Sequence, residues 1–453
     1  MSLLLGIDLG TSYFKVGLFD EKGALRGLGR VAVEMDTPQA GRSELPVPRF
    51  WAHLRRGLSA ALNEAGAQAS DIAGLSYSSQ ANTFVLLDER DQPLTPLVSW
   101  TDLRAEPIDS DLEAFSRTES FARTVGLAGW SAGFAVAKWR WWQRRDPATW
   151  GRVRRALTIS DYLTYALAGQ SVGDASTAAL LGLFDLNRRE WWSEAIAFAR
   201  IESDKLAHPV RPGTKIGNTV SAAADFIGLP SGIPLAVGGL DHHVAALGAG
   251  LGSLADLSLS TGTVLAAITL VSVPSPLPGC YHGPHFDGVR FFRLAFDGNG
   301  AGQLESYQRA HGGGLSVEEL LELARKTPPG AARPLDLATA DRGTAVRYLL
   351  EKIASTHRGL IGHVATDGGI SRIVATGGGA RSPLWLQIKA DMFGVPVMAP
   401  PSVEPACLGA ALLASVAAGR HRDLTEAAGA MITPGKWYEP NAEATARYRD
   451  WVP

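Results

Sequence analysis

Apolar positions change their period several times along this chain, and each change marks a predicted element. Leu3 to Ile7 is a short apolar run of strand length, and Tyr13 to Phe19 is a second, with Gly10-Thr11-Ser12 as the turn between them. Trp51, Leu54, Leu58 and Leu62 recur at helical spacing and predict a helix over Phe50 to Ala65. Ile72–Ser76 and Thr83–Leu87 return to strand character, Asp88 to Pro93 is a polar turn, and Leu97–Trp100 reads as another short strand. Ala132 to Gly169 is mostly helical in pattern. Gly228 to Pro234 is turn-rich and leads into a short strand, Leu235–Gly238, that ends in Gly-Gly.

A strand, a Gly/Thr turn and a strand recur at Leu257 to Leu270, laid out like Leu3 to Phe19 roughly 250 residues earlier. Either the architecture is duplicated or two common hairpins coincide; the pattern alone leaves both open. Beyond it lie a strand at Ile370–Thr376, a Gly377-Gly378-Gly379 turn and a well-marked helix. Ser382 suits its N-cap, Pro383 its first turn and Gly394 its stop, with Pro396 just beyond. A strand at Val395–Ala399 and a small-residue helix from Ala406 to Ala418 follow. Strands alternating with helices predict an α/β fold.

The 453 residues exceed what one hydrophobic core organises, so two large domains are expected. Net charge is −2, from 43 basic and 45 acidic residues, which gives no electrostatic reason for nucleic acid or an anionic membrane as partner. Cys280 and Cys407 form no disulfide framework and no CxxC metal site. The opening MSLLLGIDLG lacks a basic n-region, and the longest apolar run, Ala406 to Ala418, is too short to span a bilayer. A cytoplasmic protein is the expectation.

Four segments carry candidate chemistry. In Gly6 to Lys15 the glycine turn offers backbone N–H groups to a phosphate, Thr11 and Ser12 add hydroxyls, Lys15 adds charge, and Asp8 is placed to hold Mg²⁺ through water. A simple hairpin turn is the competing reading; GxxxxGK[ST] is absent. Ser260-Thr261-Gly262-Thr263 repeats the logic without an acid. Asp241 follows a strand-ending Gly-Gly, where a carboxylate can take a proton from a hydroxyl or simply cap the helix after it. His242 and His243 are neighbours that face different ways on a helix, which favours packing over metal binding. Gly377-Gly378-Gly379-Ala-Arg-Ser382 joins strand to helix, and suits either an anion at a helix N-terminus or a tight turn. The tryptophans at 139, 141, 142, 191 and 192 suit packing better than sugar stacking, and Arg140 to Arg155 reads as the solvated side of helices.

Taken in order, these segments resemble the FGGY family of carbohydrate kinases, within the actin/Hsp70/hexokinase superfamily. GIDLGTSYFKVGLFD resembles the first phosphate motif and residues 78–104, with Gln80 and a Trp-x-Asp-x-Arg stretch, the sugar-site segment. GFAVAKWRWWQRR is a loose Lys-centred signature around Lys138, and residues 160–185 set Asp174 and Ser176 in place. GGLDHHVAALGAG is similar to the catalytic-aspartate segment, STGTV to the second phosphate motif, TGGGARSPLWLQIKADMFGVPV to the adenosine motif, and EPACLGAALLASVAAG to the final helix.

The resemblance implies a two-domain actin-like (ribonuclease H-like) α/β fold, with residues 1–245 binding sugar and residues 246–453 binding ATP, and closure of the two on substrate. It implies Asp241 as catalytic base and substrate contact, and Asp8 at Mg²⁺. Gly10, Thr11, Ser12, Lys15, Thr261, Gly262, Thr263, Gly302, Ser306, Gly378, Gly379 and Ser382 would surround ATP. Gln80, Ala81, Asn82, Trp100 and Asp102 would surround the sugar. Gln80-Ala81-Asn82 stands where xylulokinase-like members have Gln-Met-His, and the Arg-Glu pair of glycerol kinases is absent. The implied reaction is ATP-dependent phosphorylation of a sugar or polyol hydroxyl, with a ketopentose such as xylulose or ribulose first. A non-catalytic, nucleotide-dependent sensor or chaperone-like ATPase on the same fold is the alternative. A homodimer is compatible with the resemblance.

Overall fold

The computed structural model describes residues 2–262, 264–330, 336–366, 368–401 and 404–451. By contact density the chain forms two compact units: 1–248 with 272–292 and 404–432, and 249–271 with 293–403 and 433–453.

The first unit is built on a seven-stranded mixed sheet. Leu3–Leu9, buried along its whole length, pairs antiparallel with Tyr13–Phe19 and parallel with Ile72–Ser79. Gly239–Leu240 runs parallel to the end of Ile72–Ser79. Helices cover both faces. Val16 lies under Gly57 of the helix Val47–Ala65, while its neighbour Gly17 lies under Cys407 of the helix Pro405–Ala417. Successive strand residues point to opposite faces, so the two helices flank the sheet. A smaller sheet pairs Glu44–Leu45, Leu97–Val98, Phe84–Leu87 and Arg155–Thr158.

The stretch 132–169 forms helices Ala135–Arg145, Pro147–Gly151 and Ile159–Ala168, but the strand Arg155–Thr158 interrupts them. That strand is too short for its period to register, and it is held by its pairing with Phe84–Leu87 rather than by propensity. Trp139 and Trp142 are buried edge-on against Phe84, the packing role expected of them.

The second unit repeats the plan. Leu257–Thr261 pairs antiparallel with Leu265–Val271 and parallel with Ile373–Thr376, followed by Val397–Met398 and Trp437–Tyr438. An antiparallel hairpin with a parallel third strand therefore heads each unit, so the recurrence is architectural. The helix Pro383–Phe393 has the predicted bounds: Ser382 Oγ accepts from Trp385 N at 3.3 Å, and Gly394 closes it at φ 70°.

Candidate active site

Register assembles the first half of the site. Asp8 is paired with Ser78 in the parallel ladder, and Ser78 in turn with Gly239. Asp8, Gly10-Thr11-Ser12, Gln80-Ala81-Asn82 and Asp241 therefore lie at the carboxyl ends of adjoining parallel strands, where open α/β sheets bind ligands. Gly238 is required by this approach, because a Cβ there would sit 1.7 Å from the Tyr77 carbonyl oxygen. Asp241 is the first residue of the helix Asp241–Ala249, with His242 N donating to its Oδ1 at 2.7 Å. A buried chain supports it from behind. Tyr77 Oη and Ser176 Oγ donate to Asp174 at 3.3 and 2.6 Å, and Leu240 N donates to Ser176 Oγ at 2.9 Å. His243 is buried and stacked on Phe292 with ring centroids 4.1 Å apart; burial holds its imidazole neutral, so it packs.

Asp8 is buried, accepts from Ser78 Oγ at 3.1 Å, and lies 3.6 Å from Lys15 Nζ. Burial lifts its carboxyl to about 6; Lys15 opposes the shift, while the charges of Asp241 and Glu404 add to it. Lys15 Nζ is closer to Glu404, at 2.7 Å. Burial works against its ammonium, but Asp8 and then Glu404 outweigh burial and raise it. Glu404 carried no signal as a site residue in the sequence.

The sugar-segment residues are knit to the phosphate turn. Gln80 Nε2 donates to Gly10 O at 3.3 Å, and its Oε1 accepts from Thr11 Oγ1 and Thr83 Oγ1 at 3.2 and 3.1 Å. Trp100 is 43% exposed, and its Nε1 donates to Thr11 Oγ1 at 2.8 Å. Asn82, in the left-handed region at φ 60°, accepts from Ala135 N and donates to Leu180 O, both at 3.0 Å. Ala81 is buried beside it. Asp102 is fully buried; it accepts from Ser43 N at 2.8 Å and from Arg104 N, Nε and Nη2 at 2.8–3.0 Å. Lys138 is buried with Nζ donating to Ser99 O and Gly133 O, each at 2.8 Å, which fixes the turn carrying Trp100. Ser12 is exposed beside Thr11.

The second unit has its own constellation. A cleft of about 700 Å³ is lined by Ala301, Leu304, Glu305, Gly378, Gly379, Ser382 and Trp385 among others. Gly302 begins the helix Gly302–His311, and Ala301 N donates to Gly262 O at 2.8 Å, joining cleft to loop. Ser306 is on the same helix, where its Oγ accepts from Arg309 Nη2 at 3.2 Å. Gly377, at φ 79°, lies against Thr261, since a Cβ there would be 2.6 Å from the Thr261 carbonyl oxygen. Thr263 lies outside the described residues. Lys389, unremarked in the sequence, is fully buried and donates to Thr261 Oγ1 at 2.5 Å.

Among the described residues no three or more His, Cys, Asp or Glu side chains gather to hold a metal, and no helix is long and apolar enough to cross a membrane. Mg²⁺ ordinarily takes one or two carboxylates, with water and substrate phosphates completing its shell. A carboxyl raised by burial and by two like-charged neighbours fits that role, because a cation would relieve the repulsion.

Residues 3–248 match the profile of the N-terminal domain of the FGGY family of carbohydrate kinases, and residues 329–418 that of its C-terminal domain. A xylulose kinase of Lactococcus lactis is 27% identical over 99% of this chain and 94% of its own length. An autoinducer-2 kinase of Salmonella choleraesuis is 26% identical over 98% of the chain and 92% of its own. The crystal structure of a ligand-bound xylulose kinase from Lactobacillus acidophilus shares the fold, with a TM-score of 0.88 at 20% identity, covering all of this chain and 96% of that one.

Proposed function

The chain belongs to the FGGY family of carbohydrate kinases, and we propose that it phosphorylates a ketopentose hydroxyl with Asp241 as the base. It is a phosphotransferase with an alcohol group as acceptor, and the family uses ATP as its phosphoryl donor. In the proposed reaction Asp241 accepts the hydroxyl proton as the sugar oxygen bonds to the γ-phosphorus. The bond from that phosphorus to the bridging oxygen breaks, and ADP leaves with the electron pair. Asp8 would hold Mg²⁺, which when bound neutralises charge on the phosphates.

The single observation that carries this reading is the alignment of Asp8, Gln80 and Asp241 at the ends of adjoining parallel strands. The Gly10–Ser12 turn and Lys15 would meet phosphates from the first unit. Thr261, Gly262, Gly378, Gly379 and Ser382 would hold the nucleotide on the second, with Gly302 and Ser306 on the helix beside the cleft. The exposed Trp100 would stack on the sugar, while Gln80, Ala81, Asn82 and Asp102 shape the loop around it. The xylulose kinase relative supports a ketopentose; the autoinducer-2 kinase relative, equally long in its match, supports a different acceptor.

The test is ADP release with Mg-ATP against ketoses, polyols, aldonates and autoinducer-2, with Asp241→Ala as control. Stimulation by a ketopentose, lost by several orders of magnitude in a folded variant, is the expected result. Near-normal turnover in that variant would sink the base assignment, and stimulation by another class alone would replace the ketopentose.

A further inference from the structure

We propose that Lys389 is a positioning residue for the nucleotide phosphates, acting through the hydroxyl of Thr261. The proposal rests on the reading of Thr261 and Gly262 as a phosphate loop. Lys389 stands on the helix Pro383–Phe393 with none of its surface exposed, and its Nζ donates to Thr261 Oγ1 at 2.5 Å. Its ammonium also lies 5.2 Å from the ring centroid of Trp385.

The acids nearby in sequence or on packed elements are committed elsewhere. Asp391 Oδ1 accepts from Gln387 Nε2 and Asn441 N, and Glu351 Oε1 accepts from Arg347 and Tyr448. The titratable group that faces Lys389 from the helix Arg342–Val364 is His357, whose Nε2 is 3.1 Å from Ser260 O. Burial first, and Lys389 second, push that imidazole down to about 3, so it stays neutral. A buried ammonium whose partner is a neutral hydroxyl is disfavoured relative to an apolar side chain. Burial accordingly brings Lys389 down to about 7.

On its other side Thr261 supports the glycine turn. A Cβ on Gly379 would be 2.6 Å from Thr261 Cγ2, and Gly378 and Gly379 line the cleft. An anion on the loop thus has a cation one hydroxyl away in a medium of low dielectric. Thr261 is itself fully buried, so the ammonium acts by fixing the Thr261 side chain, and with it the loop and glycine turn on which the anion would lie.

The test compares Lys389→Met with the unaltered protein at pH 7, measuring Kd for ADP, KM for the sugar, and Tm. Loss of one charge-assisted contact predicts an ADP Kd about tenfold higher or more. The sugar KM should be unchanged, and Tm unchanged or higher because a lone buried cation is gone. An unchanged ADP Kd, or a rise in both constants with a fall in Tm, overturns the proposal; the latter is what a purely structural lysine gives. Thr261→Val separates the two levels. If it leaves the ADP Kd alone, the phosphate-loop reading fails. If it weakens ADP while Lys389→Met does not, only the role of Lys389 fails. Should Lys389→Met not fold, calorimetry of the unaltered protein at pH 8, in buffers of different ionisation heat, decides. Proton uptake on ADP binding is expected, and none would overturn the proposal.

Discussion

Lys15 reads in the sequence as a cation beside a glycine turn, free to meet a phosphate. Folding sets it between two carboxylates, 2.7 Å from Glu404 and 3.6 Å from Asp8. This has a consequence for pH. Asp8 is held up at about 6, so its carboxylate form is present above that pH and is lost as the pH falls through it. If that form holds Mg²⁺, kcat/KM for Mg-ATP falls on the acid side of about pH 6. Glu404 contributes to the upward shift, so Glu404→Gln should lower the Asp8 pKa and move the acid limb to lower pH. A rate profile with the limb unmoved or moved upward would refute the coupling. The acids and glycines of the motifs were legible from residue type and order. The partners Glu404 and Lys389 were not, because a residue distant in sequence becomes a neighbour only through tertiary packing. Asp102 shows the same limit: the family resemblance sets it around the sugar, and nothing in the sequence signals that its oxygens accept from Ser43 and Arg104 inside the protein.

At the scale of elements, periodicity served the long and the strongly punctuated segments. The strand Tyr13–Phe19 and the helix Pro383–Phe393 have the bounds their patterns predict. Arg155–Thr158 escaped, since four residues cannot establish a period and a partner strand decides them. Glycines in the small-residue helix Pro405–Ala417 and its contacts have a reason the sequence hides. A Cβ on Gly409 would come within 2.0 Å of the Val244 carbonyl oxygen, and one on Gly248 within 2.0 Å of the Pro405 carbonyl oxygen. The two helices touch backbone to backbone. Gly409→Ala gains about 1 kcal/mol of helix propensity, but overpacking of this kind costs roughly 1–3 kcal/mol or more. At 2.0 Å from a carbonyl the methyl cannot be absorbed by a side-chain rotation. The expected outcome is net destabilisation, read as a lower midpoint in denaturant titration. A midpoint equal to or above that of the unaltered protein would show that the helices separate freely.

For the whole molecule, composition and motif order indicated an α/β protein of this family, but not how the chain is shared between its units. The helix Pro405–Ala417 belongs to the first unit, packed on Leu3–Leu9 and Ile72–Ser79, although more than 150 residues of chain intervene after residue 248. Gly6 makes this contact possible, since a Cβ there would lie 2.0 Å from the Cys407 carbonyl oxygen. Its sequence could not name the sheet it covers, because an apolar, alanine-rich face suits any flat sheet. A fragment of residues 1–248 matches the N-terminal family profile almost to the residue, yet it would leave one face of its central strands uncovered. Leu3, Leu5, Ile7 and Leu9 share the face packed on the helix Val47–Ala65, but the buried Leu4 and its ladder partner Phe19 stand on the opposite face with Gly6 and Gly17, where the helix Pro405–Ala417 covers them. We therefore expect the fragment to bind ANS and unfold without a sharp thermal transition. Adding residues 404–432 as a separate peptide should restore cooperativity. A fragment that melts sharply on its own, with no gain from the peptide, would mean that the helix is an accessory to the first unit rather than part of its core.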